Sequence, residues 1–198
     1  MGPKNRHAGE FPPGLSRERN LVLIGYRATG KTAVGALLAR KLARPFLDLD
    51  QVLEEDAGQS ITALVEAKGW AEFRQREKEL VARYGRARGQ VLATGGGVVL
   101  DSENVEILRE NGVVVWLKAD PSTIRKRLSR DQGEVNQRPS LTGSGTLDEV
   151  AEVLRTRQSL YAAAAHVVID TAGQSLSQVV EKVLDAVGKC FGGGGPGT

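Results

Sequence analysis

The stretch LVLIGYRATGKTAVGALLARKLA, residues 21–43, decides the fold of this chain. Its first four residues are apolar and predict a buried strand, while the residues after Thr32 have the apolar spacing of a helix. Between them, Gly25 to Thr32 match the G-x-x-x-x-G-K-[ST] loop in the strand-to-helix context that this loop requires. The sequence therefore predicts a nucleotide-binding phosphate loop.

Each residue type in this loop has a physical reason to be there. Gly25 and Gly30 let backbone N–H groups turn inward onto a triphosphate, and the helix N-terminus adds partial positive charge. Lys31 is expected to reach the β- and γ-phosphates, and the Thr32 hydroxyl is a hard oxygen ligand for Mg²⁺. The predicted nucleotide contacts in the loop are Gly25, Ala28, Thr29, Gly30, Lys31, Thr32 and Ala33.

Short apolar runs alternate along the chain with segments of helical period. This alternation is typical of a parallel sheet with helices on both faces. The predicted fold class is α/β, with three α/β/α layers around a five-stranded parallel sheet. The strands are expected at 21–24, 45–49, 91–94, 113–117 and 166–169.

Helix boundaries are indicated by capping residues. Ser60 and Ser102 are predicted to cap helices that end at Gly69 and Gly112, and Asp120 followed by Pro121 predicts another helix start. Two pairs have the spacing of a capping box. These pairs are Thr146 with Glu149, and Ser175 with Gln178.

Length and composition limit the classes of protein to which this chain can belong. The 198 residues suit a single domain, and one cysteine, Cys190, favours a reducing compartment, so we expect a cytoplasmic protein. No stretch reaches the roughly 18 apolar residues of a membrane helix, and charges and prolines near the N-terminus argue against export. The net charge is +3, but the basic residues are scattered among 24 acidic ones, which argues against nucleic-acid binding.

Composition also predicts the domain boundaries. Residues 1–19 and 191–198 have the composition of a flexible N-terminal extension and a flexible glycine-rich tail, leaving one domain at 20–190. The segment at about 131–145 is polar and rich in Gly, Ser and Pro, which predicts a mobile excursion over the surface.

Candidate acceptor-site residues follow the second and third strands. Asp48 and Asp50 are two apart, so on an extended chain their side chains would face one place at the ligand-binding edge of the sheet. Gly95, Gly96 and Gly97 permit a close approach of backbone to a ligand. Arg74 and Glu77 have the spacing of a pair on one helix. Capping is the alternative explanation for Asp50, and an ordinary amphipathic helix for Arg74.

Together these motifs resemble the shikimate kinase family from the first strand to beyond Tyr161. The motifs, in the family's order, are GYRATGKT, DLD, FRQRE, GGG, QRPSL and RQSLY. The resemblance implies a P-loop kinase with a mobile lid, which transfers the γ-phosphoryl group of ATP to shikimate with the help of Mg²⁺. We expect a monomer.

The resemblance also implies a role for individual residues. Asp50 would hold the acceptor hydroxyls, and Asp48 would support Mg²⁺. Arg138 would close onto the γ-phosphate, and Arg127 would stack on adenine. The residues expected to bind the acceptor carboxylate and complete its pocket are Arg74, Arg157, Gly95, Gly96 and Gly97. Lys31, Asp50 and Arg138 are thus the expected catalytic residues.

The chain departs from the family pattern at two places. Ser140 stands between the lid Arg-Pro and Leu141, and Arg27-Ala28-Thr29 replaces a more glycine-rich loop. We expect neither departure to contact the reacting atoms.

Three other functions fit parts of the sequence. A GTPase switch would need Asn-Lys-x-Asp where this chain has Leu117-Lys118-Ala119-Asp120. A gluconate or nucleoside monophosphate kinase would share the phosphate loop and lid but lack the combination of D-x-D, GGG and paired arginines. A non-enzymatic ATP-binding regulator would lack Asp50 or the lid arginine.

Overall fold

The computed structural model of the protein describes residues 15–130 and 149–191. Strands and helices alternate along most of this length. The elements are β1 (Asn20–Ile24), α1 (Lys31–Leu42), β2 (Phe46–Asp48), α2 (Leu49–Ala57), α3 (Ile61–Gly85), β3 (Val91–Ala93), α4 (Ser102–Asn111), β4 (Gly112–Lys118), α5 (Pro121–Arg130), α6 (Val150–Ala164), β5 (Val167–Asp170) and α7 (Leu176–Phe191).

Within the described residues, five parallel strands form one sheet in the order β2-β3-β1-β4-β5. Ala93 pairs with Leu23 on one side and with Asp48 on the other, so β1, β2 and β3 end almost level. The segments that follow these three strands therefore meet at one edge of the sheet, where ligands bind in open α/β sheets. The predicted fold class is confirmed.

Two hydrophobic cores cover the two faces of the sheet. Leu21 and Leu23 of β1 belong to the core that α1 and α7 cover, whereas Val22 and Ile24 belong to the opposite core, which includes residues of α3, α4 and α6. All four side chains are at most 1% exposed. This burial on both faces explains why the strand is continuously apolar.

Several predicted helix boundaries are confirmed and others are wrong. Ser60 caps α3, and Gly69 interrupts it with non-helical angles, but a second helical part follows directly. Ser175 and Gln178 form the expected reciprocal capping box. The prediction for Ser102 is wrong, because the Asp101 carboxylate caps α4 and accepts hydrogen bonds from two backbone N–H groups.

At its N-terminal end, the packed chain extends beyond the predicted domain boundary. Leu15 is 3% exposed and belongs to the core beneath α1, so the packed chain begins ahead of residue 20. The predicted mobile segment at 131–145, together with Thr146, lies outside the described residues. None of the helices in residues 15–130 and 149–191 is long and apolar enough to cross a membrane.

Candidate active site

The phosphate loop depends on backbone angles that favour glycine. Gly25 has a φ of 141° and Gly30 a φ of 93°. A Cβ at Gly25 would overlap the backbone carbonyl oxygen of Leu117, so no other residue fits without a shift of the chain. Ala28 has a φ of 57°, a left-handed angle that an alanine adopts only with strain. The loop is therefore fixed by its own backbone angles and by the close approach of β4.

Side chains of the phosphate loop donate hydrogen bonds to the loop's own backbone carbonyls. The Lys31 ammonium is 2.9 Å from both the Gly25 and the Tyr26 carbonyl oxygens and donates to each. The Thr29 hydroxyl donates to the same Tyr26 oxygen at 2.8 Å. Lys31 is buried, so its charge lies at the N-terminal end of α1 and away from bulk water.

Thr32 and Asp48 are brought together by the start of α1 and the end of β2. The Thr32 hydroxyl donates to Asp48 Oδ2 at 2.5 Å, and Asp48 Oδ1 accepts from the backbone N–H of Asp50 at 3.1 Å. A hydroxyl beside a carboxylate is a set of hard oxygens that suits Mg²⁺, which is commonly held by one or two carboxylates plus substrate phosphates. These residues therefore fit the expected metal.

The predicted arrangement of Asp48 and Asp50 is wrong in one detail. The two residues do not share an extended chain, because β2 ends at Asp48 and Leu49 already begins α2. Asp48 caps that helix and Asp50 lies in its first turn, buried to 8% exposure. Both carboxylates nevertheless line the same cavity, because the helix begins at the sheet edge.

This first cavity, here the phosphate-loop cavity, opens at the N-terminus of α1. Its lining includes predicted nucleotide residues and both aspartates: Arg27, Ala28, Gly30, Lys31, Thr32, Ala33, Asp48, Asp50, Thr94 and Arg127. The Arg127 guanidinium is fixed there by hydrogen bonds to the Ala28 carbonyl at 3.1 Å and the Thr171 carbonyl at 2.7 Å. Its predicted stacking on adenine stays a prediction.

A second cavity, here the acceptor cavity, adjoins the first. It is lined by Tyr26, Arg27, Asp50, Ile61, Trp70, Phe73, Arg74, Glu77, Gly95, Gly96, Gly97 and Arg157. Every residue that the sequence indicated for binding the acceptor is among them. Of the described residues, Arg27 and Asp50 line both cavities.

Arg74 is held in the acceptor cavity by aromatic rings and a buried carboxylate. The predicted pair with Glu77 is present, with Arg74 Nη1 at 2.6 Å from Glu77 Oε2. The Arg74 guanidinium lies 4.9 Å from the ring centre of Phe73 and 5.6 Å from that of Trp70. Burial raises the pKa of Glu77, against the opposing effect of Arg74, while the nearby Asp50 charge raises it further.

Two of the three glycines after β3 are explained by side chains that crowd against them. A Cβ at Gly95 would lie 2.6 Å from Glu77 Oε1 and 2.8 Å from Asp50 Oδ1. A Cβ at Gly97 would overlap the Arg74 guanidinium. Gly95 and Gly97 therefore leave the room in which three charged side chains meet.

The third glycine is bound from α6. The Gly96 carbonyl accepts hydrogen bonds from Arg157 Nη1 at 3.1 Å and from the Tyr161 hydroxyl. Tyr161 is completely buried, and this burial raises its pKa to about 12, so the hydroxyl keeps the proton that it donates. Arg157 is thus fixed at the cavity wall from a helix far away in sequence.

Sequence reasoning missed part of the site. Arg27, expected to stay away from the reacting atoms, lines both cavities, and Tyr26 lines the acceptor cavity. Their position between the two glycines of the phosphate loop was the available signal. Glu149 is buried in an ion pair with Arg27, and its predicted capping-box partner, Thr146, lies outside the described residues. Arg138 lies outside the described residues.

Comparison with known proteins agrees with this site. A sequence profile described as shikimate kinase matches residues 27–188. A shikimate kinase of Symbiobacterium thermophilum is 46% identical over 166 residues, which is 84% of this chain and 94% of that protein. One from Syntrophus aciditrophicus is 42% identical over 175 residues, covering 84% and 90% of the two chains.

Solved structures give the same relationship. Shikimate kinase from Acinetobacter baumannii in complex with shikimate has a TM-score of 0.78 and 33% identity, with 84% of this chain and 91% of that chain covered. A gluconokinase from Sinorhizobium meliloti has a TM-score of 0.53 at 18% identity, with 92% and 95% covered, and shares the fold alone. The family profile and the identities above leave one assignment: this chain belongs to the shikimate kinase family.

Proposed function

We propose that this chain transfers the γ-phosphoryl group of ATP to the 3-hydroxyl of shikimate, giving shikimate 3-phosphate and ADP. The observation that carries the proposal is that the Asp50 carboxylate lines both the phosphate-loop cavity and the acceptor cavity. A hydroxyl bound beside Asp50 would face the phosphate loop. Asp50 would align that hydroxyl and accept its proton late in the transfer.

The acceptor carboxylate would be bound by two arginines. Arg74 and Arg157 both line the acceptor cavity, and each is fixed by a further contact, to Glu77 and to the Gly96 carbonyl respectively. Guanidinium groups bind carboxylates in a planar, bidentate geometry, and each charged hydrogen bond is worth roughly 1.5–3 kcal/mol. These contacts would favour a small acid over a neutral sugar as acceptor.

The transferring phosphoryl group would be stabilised by positive charge. Lys31 would exchange its two loop carbonyls for phosphate oxygens, and the loop N–H groups would bind the triphosphate. Arg138 stays, by the family resemblance, the proposed lid arginine. Because phosphoryl transfer has a loose transition state, alignment and charge neutralisation supply most of the rate.

Thr32 and Asp48 are the proposed Mg²⁺ residues. When bound, Mg²⁺ would neutralise phosphate charge on the nucleotide. Among the described residues, no three His, Cys, Asp or Glu side chains form a metal cluster, which fits an ion held mainly by substrate phosphates. We further propose that the predicted domain at 20–190, extended at its N-terminal end to include the buried Leu15, is a single kinase domain that works as a cytoplasmic monomer.

ADP release tests the proposed function. The purified chain, with ATP and Mg²⁺, is expected to release ADP only when shikimate is added, and not with gluconate or AMP. Asp50→Asn should lower kcat by about 10²–10⁴-fold, the usual effect of a general acid or base. ADP release that is equal without shikimate, or an Asp50→Asn enzyme as fast as the parent, would overturn the proposal.

A further inference from the structure

A buried ion pair joins the phosphate loop to the helix that carries Arg157. Arg27 Nη2 lies 3.1 Å from Glu149 Oε1, and the two side chains are 6% and 0% exposed. Most ion pairs on protein surfaces contribute little to stability, but a buried pair is placed at a considerable desolvation penalty. A contribution to folding stability alone therefore does not explain this pair.

The position of the pair suggests this role. Glu149 immediately precedes α6, and Arg157 follows eight residues later, about 12 Å along the helix axis. Arg157 donates to the Gly96 carbonyl, and Gly96 itself packs beside the backbone of Tyr26 and Arg27. The contacts thus join the phosphate loop, α6 and the glycine loop, which is Gly95 to Gly97, in one closed circuit.

Apolar packing supports the same junction. Val150 and Val153, in the first turn of α6, share a buried cluster with the Tyr26 ring of the phosphate loop. Apolar contacts hold two surfaces together but allow sliding, whereas a charged hydrogen bond fixes direction. The Arg27–Glu149 pair therefore sets the register of α6 on the loop.

We propose that the Arg27–Glu149 ion pair is a positioning element of the acceptor cavity, which places Arg157 by docking the start of α6 on the phosphate loop. This inference rests on the proposed function, because Arg157 is there assigned to the acceptor carboxylate. Glu149 is not among the residues that line either cavity, so it acts only through its partner.

Replacing both partners separates positioning from stability. In Arg27→Met with Glu149→Met no buried charge is left alone, so the double variant should melt within about 5 °C of the parent. Titration calorimetry with shikimate, without nucleotide, should show a Kd about tenfold higher, the usual factor for a lost charged hydrogen bond. A folded double variant that binds shikimate within about twofold of the parent would overturn the proposal.

The single variants identify how Arg27 acts. Arg27→Met and Glu149→Met should each raise the shikimate Kd, and the two effects should not add, because both break one contact. Arg27→Lys keeps a charge beside Glu149 and should bind shikimate more tightly than Arg27→Met, although it loses the planar guanidinium that lies over the Tyr26 ring. If Glu149→Met leaves the Kd unchanged while Arg27→Met raises it, Arg27 contacts the ligand directly and the positioning role is wrong.

Two controls complete the test. The exposed pair Arg88–Glu18, with both side chains 70% exposed, provides matched methionine replacements that should change neither melting temperature nor Kd. If the double variant does not fold, Glu149→Gln, which keeps the side-chain volume, is judged by the same criteria. A parent chain that does not bind shikimate refutes the proposed function, whereas variants that bind like a binding-competent parent refute this inference alone.

Discussion

The two cavities of the site are built in different ways. Six of the ten residues that line the phosphate-loop cavity come from one short segment, 27–33, whose backbone angles help to fix its shape. The acceptor cavity takes its lining from the phosphate loop, α2, α3, the glycine loop and α6. The first is a local structure and the second a product of tertiary packing. The two should therefore respond differently to substitution.

Among the variants that compare the two cavities, loss of the loop lysine should have the largest effect. In Lys31→Met the charge beside the transferring group is gone, so kcat should fall by about 10³-fold or more, as with other removed transition-state donors. The ADP-release assay measures this change. Calorimetry should show a shikimate Kd within about twofold of the parent, since Lys31 does not line the acceptor cavity. A large change in that Kd would break the distinction between the two cavities.

A methyl group on Gly97 should impair the acceptor cavity alone. The added Cβ of Gly97→Ala would overlap the end of the Arg74 side chain, which can move aside, so the fold should survive. The displaced guanidinium should raise the KM for shikimate by about 10- to 100-fold while the KM for ATP stays near the parent value. Steady-state kinetics with each substrate varied in turn measures both constants.

Gly25→Ala is the matched change in the phosphate loop. Here the added Cβ meets a backbone oxygen, and φ is 141°, so strain should lower the free energy of unfolding by about 1–3 kcal/mol. Urea denaturation followed by circular dichroism tests this contrast. Equal stability losses in the two variants would contradict the view that only the first cavity is built from backbone geometry.

The contrast explains which parts of the site were predictable from the sequence. The phosphate loop is a contiguous motif, so its residues and its place after β1 could be named without a structure. The pairing of Arg27 with Glu149 joins positions far apart in the chain, and no local pattern indicates it. Arg157 could be identified only through the family resemblance. Spacing alone does not indicate its role, because that role depends on where α6 packs.

The strands and helices follow the same rule. Strand positions were predicted closely, because buried strands are short apolar runs between turns. Errors occurred where two residues compete for one role. Asp101 displaced Ser102 as a helix cap because its carboxylate accepts two N–H groups at once. Leu49 joined a helix because Asp48 caps α2, two residues before Asp50, the cap that the sequence suggested.

A smaller effect is expected at the proposed metal residues. Thr32→Val keeps the side-chain shape but removes the hydroxyl that bonds Asp48, so the Mg²⁺ concentration for half-maximal ADP release should rise about tenfold. Shikimate binding without nucleotide should be unaffected. An unchanged Mg²⁺ dependence would show that the Thr32 hydroxyl does not hold the metal.

The smallest effect should come from a residue remote from both cavities. His166 Nδ1 accepts the Val114 N–H at 3.0 Å, and burial, with Arg109 and Arg19 nearby, lowers the pKa of this imidazole. The unfolded chain therefore binds a proton first as the pH falls through about 6.5, so stability is full above that pH and declines below it.

His166→Gln should weaken this pH dependence without changing catalysis at pH 7.5. Because His166 is partly exposed, solvent screening limits the difference in melting temperature between pH 7.5 and 5.5 to about 1–3 °C. Thermal unfolding at both values, with the parent alongside, measures it. A variant with the full pH dependence of the parent would exclude His166 as its source.

The wall shared by the two cavities has a consequence for inhibitor design. Because Arg27 and Asp50 line both cavities, a polyphosphate chain joined to a cyclohexene carboxylate would reach both cavities along this shared wall. Such a bisubstrate inhibitor should exceed the affinity of either half by about 10²–10⁴-fold through effective concentration. A substitution of Asp50 that weakened binding of this inhibitor would also remove the proposed proton acceptor. Such a resistant variant would therefore lose kinase activity.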